Sequence, residues 1–139
     1  MTKITASDWN GLFRMRDHLW KQLVDYDMFE YQKELSNKII KSVINNEGYT
    51  IPAEISRQAG KTSCLVVTVI FLLLFFFSIC KRYGIKTTPK FNIGIFAPLM
   101  EQAKTAFYLL REYLKKLDGQ GFDFTFDSFN GDTIIMQSM

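Results

Sequence analysis

The sequence is poor in the residues that most often announce a chemistry. It has two cysteines, Cys64 and Cys80, sixteen positions apart in one apolar run, with no CxxC pair and no histidines around them. That argues against a zinc site and a disulfide framework, and for reduced, buried thiols in a cytoplasmic protein. The single histidine, His18, lies among Arg16, Asp17 and Trp20 with no nucleophile or acid in a motif beside it. No Ser-His-Asp or Cys-His arrangement can be assembled, and His18 reads as a surface or helix-packing residue. Acids are scarce in the middle of the chain, where Glu54 is the only one among residues 51–100. The first residues, Met1-Thr2-Lys3-Ile4-Thr5, lack the basic stretch and apolar core of a secretory signal, so nothing points to export. No internal repeat or low-complexity tract is present.

What is present is the composition of one folded domain. The 139 residues are 47% hydrophobic and 22% charged, with thirteen Phe and six Tyr, so a real core is expected and disorder is not. The net charge of +3 is too small to argue for nucleic-acid binding alone, but its distribution is uneven. Residues 51–100 hold six basic side chains against the one acid. Positive charge is thus concentrated where a polyphosphate would be favoured, although Lys81, Arg82, Lys86 and Lys90 also read as solvated charges on connecting loops.

Hydrophobic periodicity gives the element order. Trp9, Leu12, Phe13, Leu19, Trp20 and Leu23 follow helical spacing behind Ser7, an N-cap candidate, and Asp8, a first-turn acid. Phe29, Leu35, Ile39, Ile40, Val43 and Ile44 mark a second helix, closed by Asn45-Asn46-Glu47-Gly48. Residues 49–55 are partly β-branched and read as a short strand that Pro52 confines to a strand start or a bulge. A long apolar helix is expected over 61–83, a buried strand over 91–97 closed by Pro98, and a further helix from Met100 to Leu114. Residues 122–127 alternate with period two, and Asn130-Gly131 is a hairpin signal that pairs 133–136 back antiparallel. The succession predicts an α/β sandwich with a mainly parallel sheet, N-terminal helices over 1–48, a core over 49–139, and a C-terminal β-hairpin.

The apolar helix reads at first as a membrane span. Residues 65–80 are almost wholly apolar until Lys81 and Arg82 stop them. Sixteen residues at about 1.5 Å each reach roughly 24 Å, short of a hydrocarbon core of about 30 Å. A buried core helix is the better reading, so no membrane partner is expected.

Directly before that helix stands Ser56-Arg57-Gln58-Ala59-Gly60-Lys61-Thr62. The phosphate-binding pattern GxxxxGK[ST] works because backbone N–H groups at a helix N-terminus face the phosphates, a Lys reaches the terminal ones and a hydroxyl holds Mg²⁺. Gly60, Lys61 and Thr62 fit, whereas Ile55 stands where the first Gly belongs. Read whole, the segment has the deviant form SRQxGKT and resembles the phosphate loop of the large terminase subunit, the ATPase that packages DNA into viral capsids. Phe29-Glu30-Tyr31-Gln32 is similar to that family's upstream adenine-contacting motif, where a Gln amide offers both a donor and an acceptor. Residues 93–103, with Ala97-Pro98 and then Gln102-Ala103, are similar to its strand-to-helix turn. The resemblance runs from about Phe29 to the end and implies a P-loop NTPase (RecA/ASCE-like) three-layer sandwich. It implies ATP and Mg²⁺ as cofactors, Tyr31 and Gln32 at the base, and Ser56, Arg57, Gln58, Ala59, Gly60, Lys61, Thr62 and Ser63 around the phosphates. Lys61 would contact the β and γ phosphates, Thr62 would ligate Mg²⁺, and Arg57 would stabilise the γ phosphate in cis.

The acids that complete phosphoryl transfer are missing. No apolar strand ends in Asp-Glu, and Asp123, Asp127 and Asp132 sit in alternating or hairpin segments where solvent-facing positions are expected. In the family those acids lie further along, so the sequence reads as truncated, expected at most to bind ATP weakly without turning it over. The resemblance implies double-stranded DNA as substrate, and a homo-oligomeric ring with portal and small terminase subunit as partners. A helicase-type translocase shares the same motifs, and a membrane-associated protein with an incidental GKT is the rival from another class.

Overall fold

A computed structural model describes residues 4–48, 51–52, 61–86, 92–96, 98–118, 124–129 and 134–138. They form four helices, α1 (Ala6–Leu23), α2 (Glu30–Ile44), α3 (Lys61–Arg82) and α4 (Met100–Leu117), followed by β1 (Phe124–Phe129) and β2 (Ile134–Ser138).

The first three helices each begin or end on a local device. Helix α1 is capped by Thr5 rather than Ser7: the Thr5 hydroxyl accepts from the Asp8 N–H and the Asp8 carboxylate accepts from the Thr5 N–H, both at 3.1 Å. The T-x-x-D spacing makes this a reciprocal cap, and the Thr5 amide holds the Asp8 carboxyl below its ordinary range. Helix α2 ends with Asn46 in the left-handed region at φ 54°, its N–H on the Val43 carbonyl and the Glu47 N–H on the Ser42 carbonyl. Helix α3 ends in the same way around Gly84 at φ 67°, with Ile85 N–H reaching the Cys80 carbonyl at 2.8 Å. This is the Schellman arrangement, which needs a left-handed residue after the last turn. Gly84→Val is therefore expected to destabilise the fold by about 1–2 kcal/mol, read from the denaturant midpoint, because a β-branched residue resists positive φ.

The core is built on α3, against which α1, α2 and α4 each pack. Cys64, Val67, Ile70 and Phe71 are fully buried along it, and they meet Leu12, Leu19, Trp20 and Leu23 of α1, Leu35, Ile40 and Ile44 of α2, and Leu110, Leu114 and Leu117 of α4 in one cluster. With neighbours on several sides, the helix has use for apolar residues nearly all round. Thr62–Arg82 is long and apolar enough to cross a membrane, and 61% of its most apolar window is buried inside the protein. Helix α4 is tied back to α1 by Lys116, whose ammonium donates to the Leu23 carbonyl at 3.3 Å, one of the orphan carbonyls at that helix end.

The expected parallel sheet is overturned. Among the described residues the only sheet is the two-stranded antiparallel β1–β2 ribbon, with Phe126 opposite Met136, Ser128 opposite Ile135, and a bulge at the intervening Asp127. Residues 92–96, expected as a buried strand, have no regular structure, and Ile93 and Phe96 are exposed, Phe96 by 92%. Gly94 has no side chain to pack, and the Phe96 ring folds over it, where an added Cβ would collide. Of residues 49–55 only Ile51 and Pro52 are described, and neither is in a strand. The three-layer P-loop NTPase (RecA/ASCE-like) sandwich is thus replaced, in the described residues, by helices packed on a central helix with an antiparallel ribbon. The apolar surface that was to face a sheet is instead covered by other helices.

Candidate nucleotide site at the start of helix α3

Residues 56–60, which hold Ser56, Arg57, Gln58, Ala59 and Gly60, lie outside the described residues. Immediately after them, Lys61 opens α3, Thr62 is exposed in its first turn and Ser63 is half-buried. Lys61 and Thr62 therefore stand at the start of a helix of 22 residues, whose first N–H groups carry the positive end of its dipole. Pro98 and Leu99 form a bend before α4, with Gln102 and Ala103 in its first turn, and Gln102 is exposed.

Helix α2 brings the upstream motif to the same place. The Cys64 thiol donates to the Gln32 carbonyl at 3.3 Å, across 32 residues of sequence. Gln32 is fully buried. Its Oε1 accepts from the Phe29 N–H at 2.9 Å and its Nε2 donates to the Tyr26 hydroxyl at 3.4 Å, so its amide works as an N-terminal cap of α2. That is a different employment from the base contact expected of it. Tyr31 stacks on Phe29 at 5.9 Å, Phe29 on Tyr26 at 5.4 Å, and Tyr26 meets Trp20 edge-on at 5.6 Å. This aromatic chain leads from the core to Phe29, which is 52% exposed. The Tyr31 hydroxyl is buried and makes no hydrogen bond among the described residues. Burial raises its pKa, with Tyr26 and Cys64 adding to the effect.

Between these helices runs a polar line that the sequence pattern does not announce. Arg16 is 1% exposed, and donates from Nε to Asp17 Oδ1 at 2.9 Å and from Nη1 to Ser36 Oγ at 2.8 Å. Ser36 Oγ lies 2.7 Å from Thr68 Oγ1, which is 2.8 Å from the Cys64 carbonyl. One signal in the sequence could have found it: Arg16 falls four residues after Leu12 and four before Trp20, on the apolar stripe of its helix. Burial pushes the Cys64 thiol up to about 11, against a smaller opposing pull from Arg16.

No protein-family model, curated protein or solved structure matches the chain.

The candidate residues are therefore judged on geometry. Tyr31, Gln32, Thr62 and Ser63 are brought to one end of the α2–α3 pair. Cavities of about 370 Å³, lined by Gly11, Arg14, Met15, His18, Leu19 and Phe75, and about 310 Å³, between Asp17, Trp20, Lys21, Asp27, Met28 and Lys33, hold none of them. His18 is exposed at the rim of the first, as a surface residue. Among the described residues no group of three His, Cys, Asp or Glu could hold a metal ion.

Proposed function

We propose that the chain binds ATP with Mg²⁺ at the loop of residues 56–62, as the ATP-binding part of a nucleic-acid motor of the large-terminase kind that acts on double-stranded DNA. The observation that carries the reading is the Cys64–Gln32 contact, which sets the Tyr31-Gln32 pair beside the first turn of the helix that Lys61 and Thr62 open. Two sequence motifs about thirty residues apart thereby become neighbours, although the Gln32 amide itself caps α2 rather than facing the site. The parallel sheet no longer supports the reading, since the described residues contain none. The phosphate-binding mechanism itself needs only loop amides at a helix N-terminus, a Lys and a hydroxyl.

Lys61 supplies the charge for the terminal phosphates, Thr62 the hydroxyl for Mg²⁺, and Arg57 a planar fork for the γ phosphate. The Tyr31 hydroxyl, buried and unbonded among the described residues, would offer a donor and an acceptor to the base. Titration with a fluorescent ATP analogue in Mg²⁺ is expected to show saturable binding, weakened at least tenfold by Lys61→Ala while the circular dichroism is unchanged. A folded parent that binds no Mg-ATP would end this reading. No hydrolysis is expected from these residues, because no Asp-Glu pair closes an apolar strand to hold Mg²⁺ and orient water.

A further inference from the structure

Arg16 is a buried cation that nothing in the proposed site uses. An arginine stays charged in any protein interior, so its burial is costly unless its donors are matched. Here they are matched in a line. Each hydroxyl has one hydrogen, which fixes the direction of every bond. The Thr68 hydroxyl spends its hydrogen on the Cys64 carbonyl, so it can only accept from Ser36; Ser36 then spends its hydrogen on Thr68 and accepts from Arg16. All the protons in the chain point one way, from the guanidinium to the carbonyl at the end of α3's first turn. Bonds aligned in this sense polarise one another and strengthen the line. Asp17, 37% exposed, anchors its outer end, and the Phe13 ring lies 5.4 Å from the guanidinium carbon.

The inner end matters most. Cys64 is held twice, by Thr68 on its carbonyl and by its own thiol on the Gln32 carbonyl. The turn held in this way is the one that Lys61 and Thr62 open. We propose that Arg16 is a positioning residue, which through Ser36 and Thr68 fixes the first turn of α3 in the conformation that receives the phosphates of Mg-ATP. The proposal rests on the nucleotide-binding reading above, and α1 thereby gains a part in a site it does not touch.

Ser36→Ala and Thr68→Val each cut the line without changing side-chain volume much, and Thr68→Ser keeps the hydroxyl as a rescue. Arg16→Met removes the charge at similar length, and the two hydroxyl variants keep the test decisive if that variant does not fold. Hydrogen exchange at the Leu65 and Val66 amides, which bond back to the first turn in a helix, is the readout that needs no nucleotide. Ser36→Ala and Thr68→Val are expected to speed exchange there at least tenfold while the amides of residues 76–80 keep the parental rate, and Thr68→Ser is expected to restore it. The same variants are expected to weaken Mg-ATP binding at least fivefold. Parental exchange at Leu65 and Val66, or equal acceleration along the whole of α3, overturns the proposal by showing no role or a global packing role. A parent that binds Mg-ATP no more tightly than its line-cutting variants overturns it too, leaving the nucleotide reading intact. A folded parent that does not bind Mg-ATP removes both.

Discussion

Phe71→Ala is expected to cost the fold about 3–5 kcal/mol, the range for deleting a buried aromatic ring. Phe71 is fully buried on α3, in tilted contact with Phe75 at 5.4 Å, in the middle of a helix that three others cover. A ring lost from that position leaves a space that α1, α2 and α4 cannot close together, since each is also held by its own contacts. A domain of this size is stable by roughly 5–15 kcal/mol, so the variant is expected to sit near the threshold of unfolding at about 37 °C. Phe71→Leu, which keeps most of the volume, is expected to cost only about 1 kcal/mol. Leu65→Ala tests the other side of the same helix: Leu65 is 38% exposed and its loss is expected to cost less than about 1 kcal/mol. Denaturant unfolding of the three variants reads the ranking. Equal losses for Phe71→Ala and Leu65→Ala would show that α3 is not packed as described.

The second large effect is alkaline. Burial raises the Cys64 thiol from an ordinary 9.0 to about 11, so the folded protein disfavours the thiolate. Below about pH 9 the thiol is protonated in both states and adds no pH dependence. Between about pH 9 and 11 the unfolded chain releases its proton while the folded one keeps it, and stability falls as pH rises, by about 1.4 kcal/mol per unit and about 2–3 kcal/mol over the window. Cys80 is shifted upward by burial as well and adds in the same direction. Urea midpoints measured from about pH 8 to 11 are expected to decline, and Cys64→Ala is expected to flatten the decline. A Cys64→Ala curve parallel to the parental one would show that the thiol is not protected. The thiol's protonation is also what lets it donate to Gln32, so the alkaline limb reports on the α2–α3 contact at the candidate site.

The helices and the C-terminal hairpin were legible in the sequence and the parallel sheet expected beside them was not, for a physical reason. Helical periodicity repeats over fifteen or more residues, and it placed α2 within a residue at each end and α3 from Lys61 to one residue past its last. The expected strands at 49–55 and 91–97 were short apolar runs, which carry no period of their own and need partners that local sequence does not name. Pro52 and Gly94 stood in them as warnings. Thr5 took the capping role expected of Ser7 because only Thr5 has an acid three residues ahead to answer it. At the site, the junction of Gly60-Lys61-Thr62 with a long helix was readable. The line from Arg16 to Cys64 was not, since it joins residues 20 and 32 positions apart that meet only after three helices have packed.

The central place of α3 also sets an order of events during synthesis. Helices α1 and α2 leave the ribosome before α3 and wait with their apolar stripes uncovered until it arrives. Helix α4, whose Leu110, Leu114 and Leu117 complete the burial, comes last. At about 5–20 residues per second, α3 spends on the order of a few seconds with its α4 side open to the surroundings. In that interval a sixteen-residue apolar run is only partly covered, and the arrival of α4 is what ends its exposure.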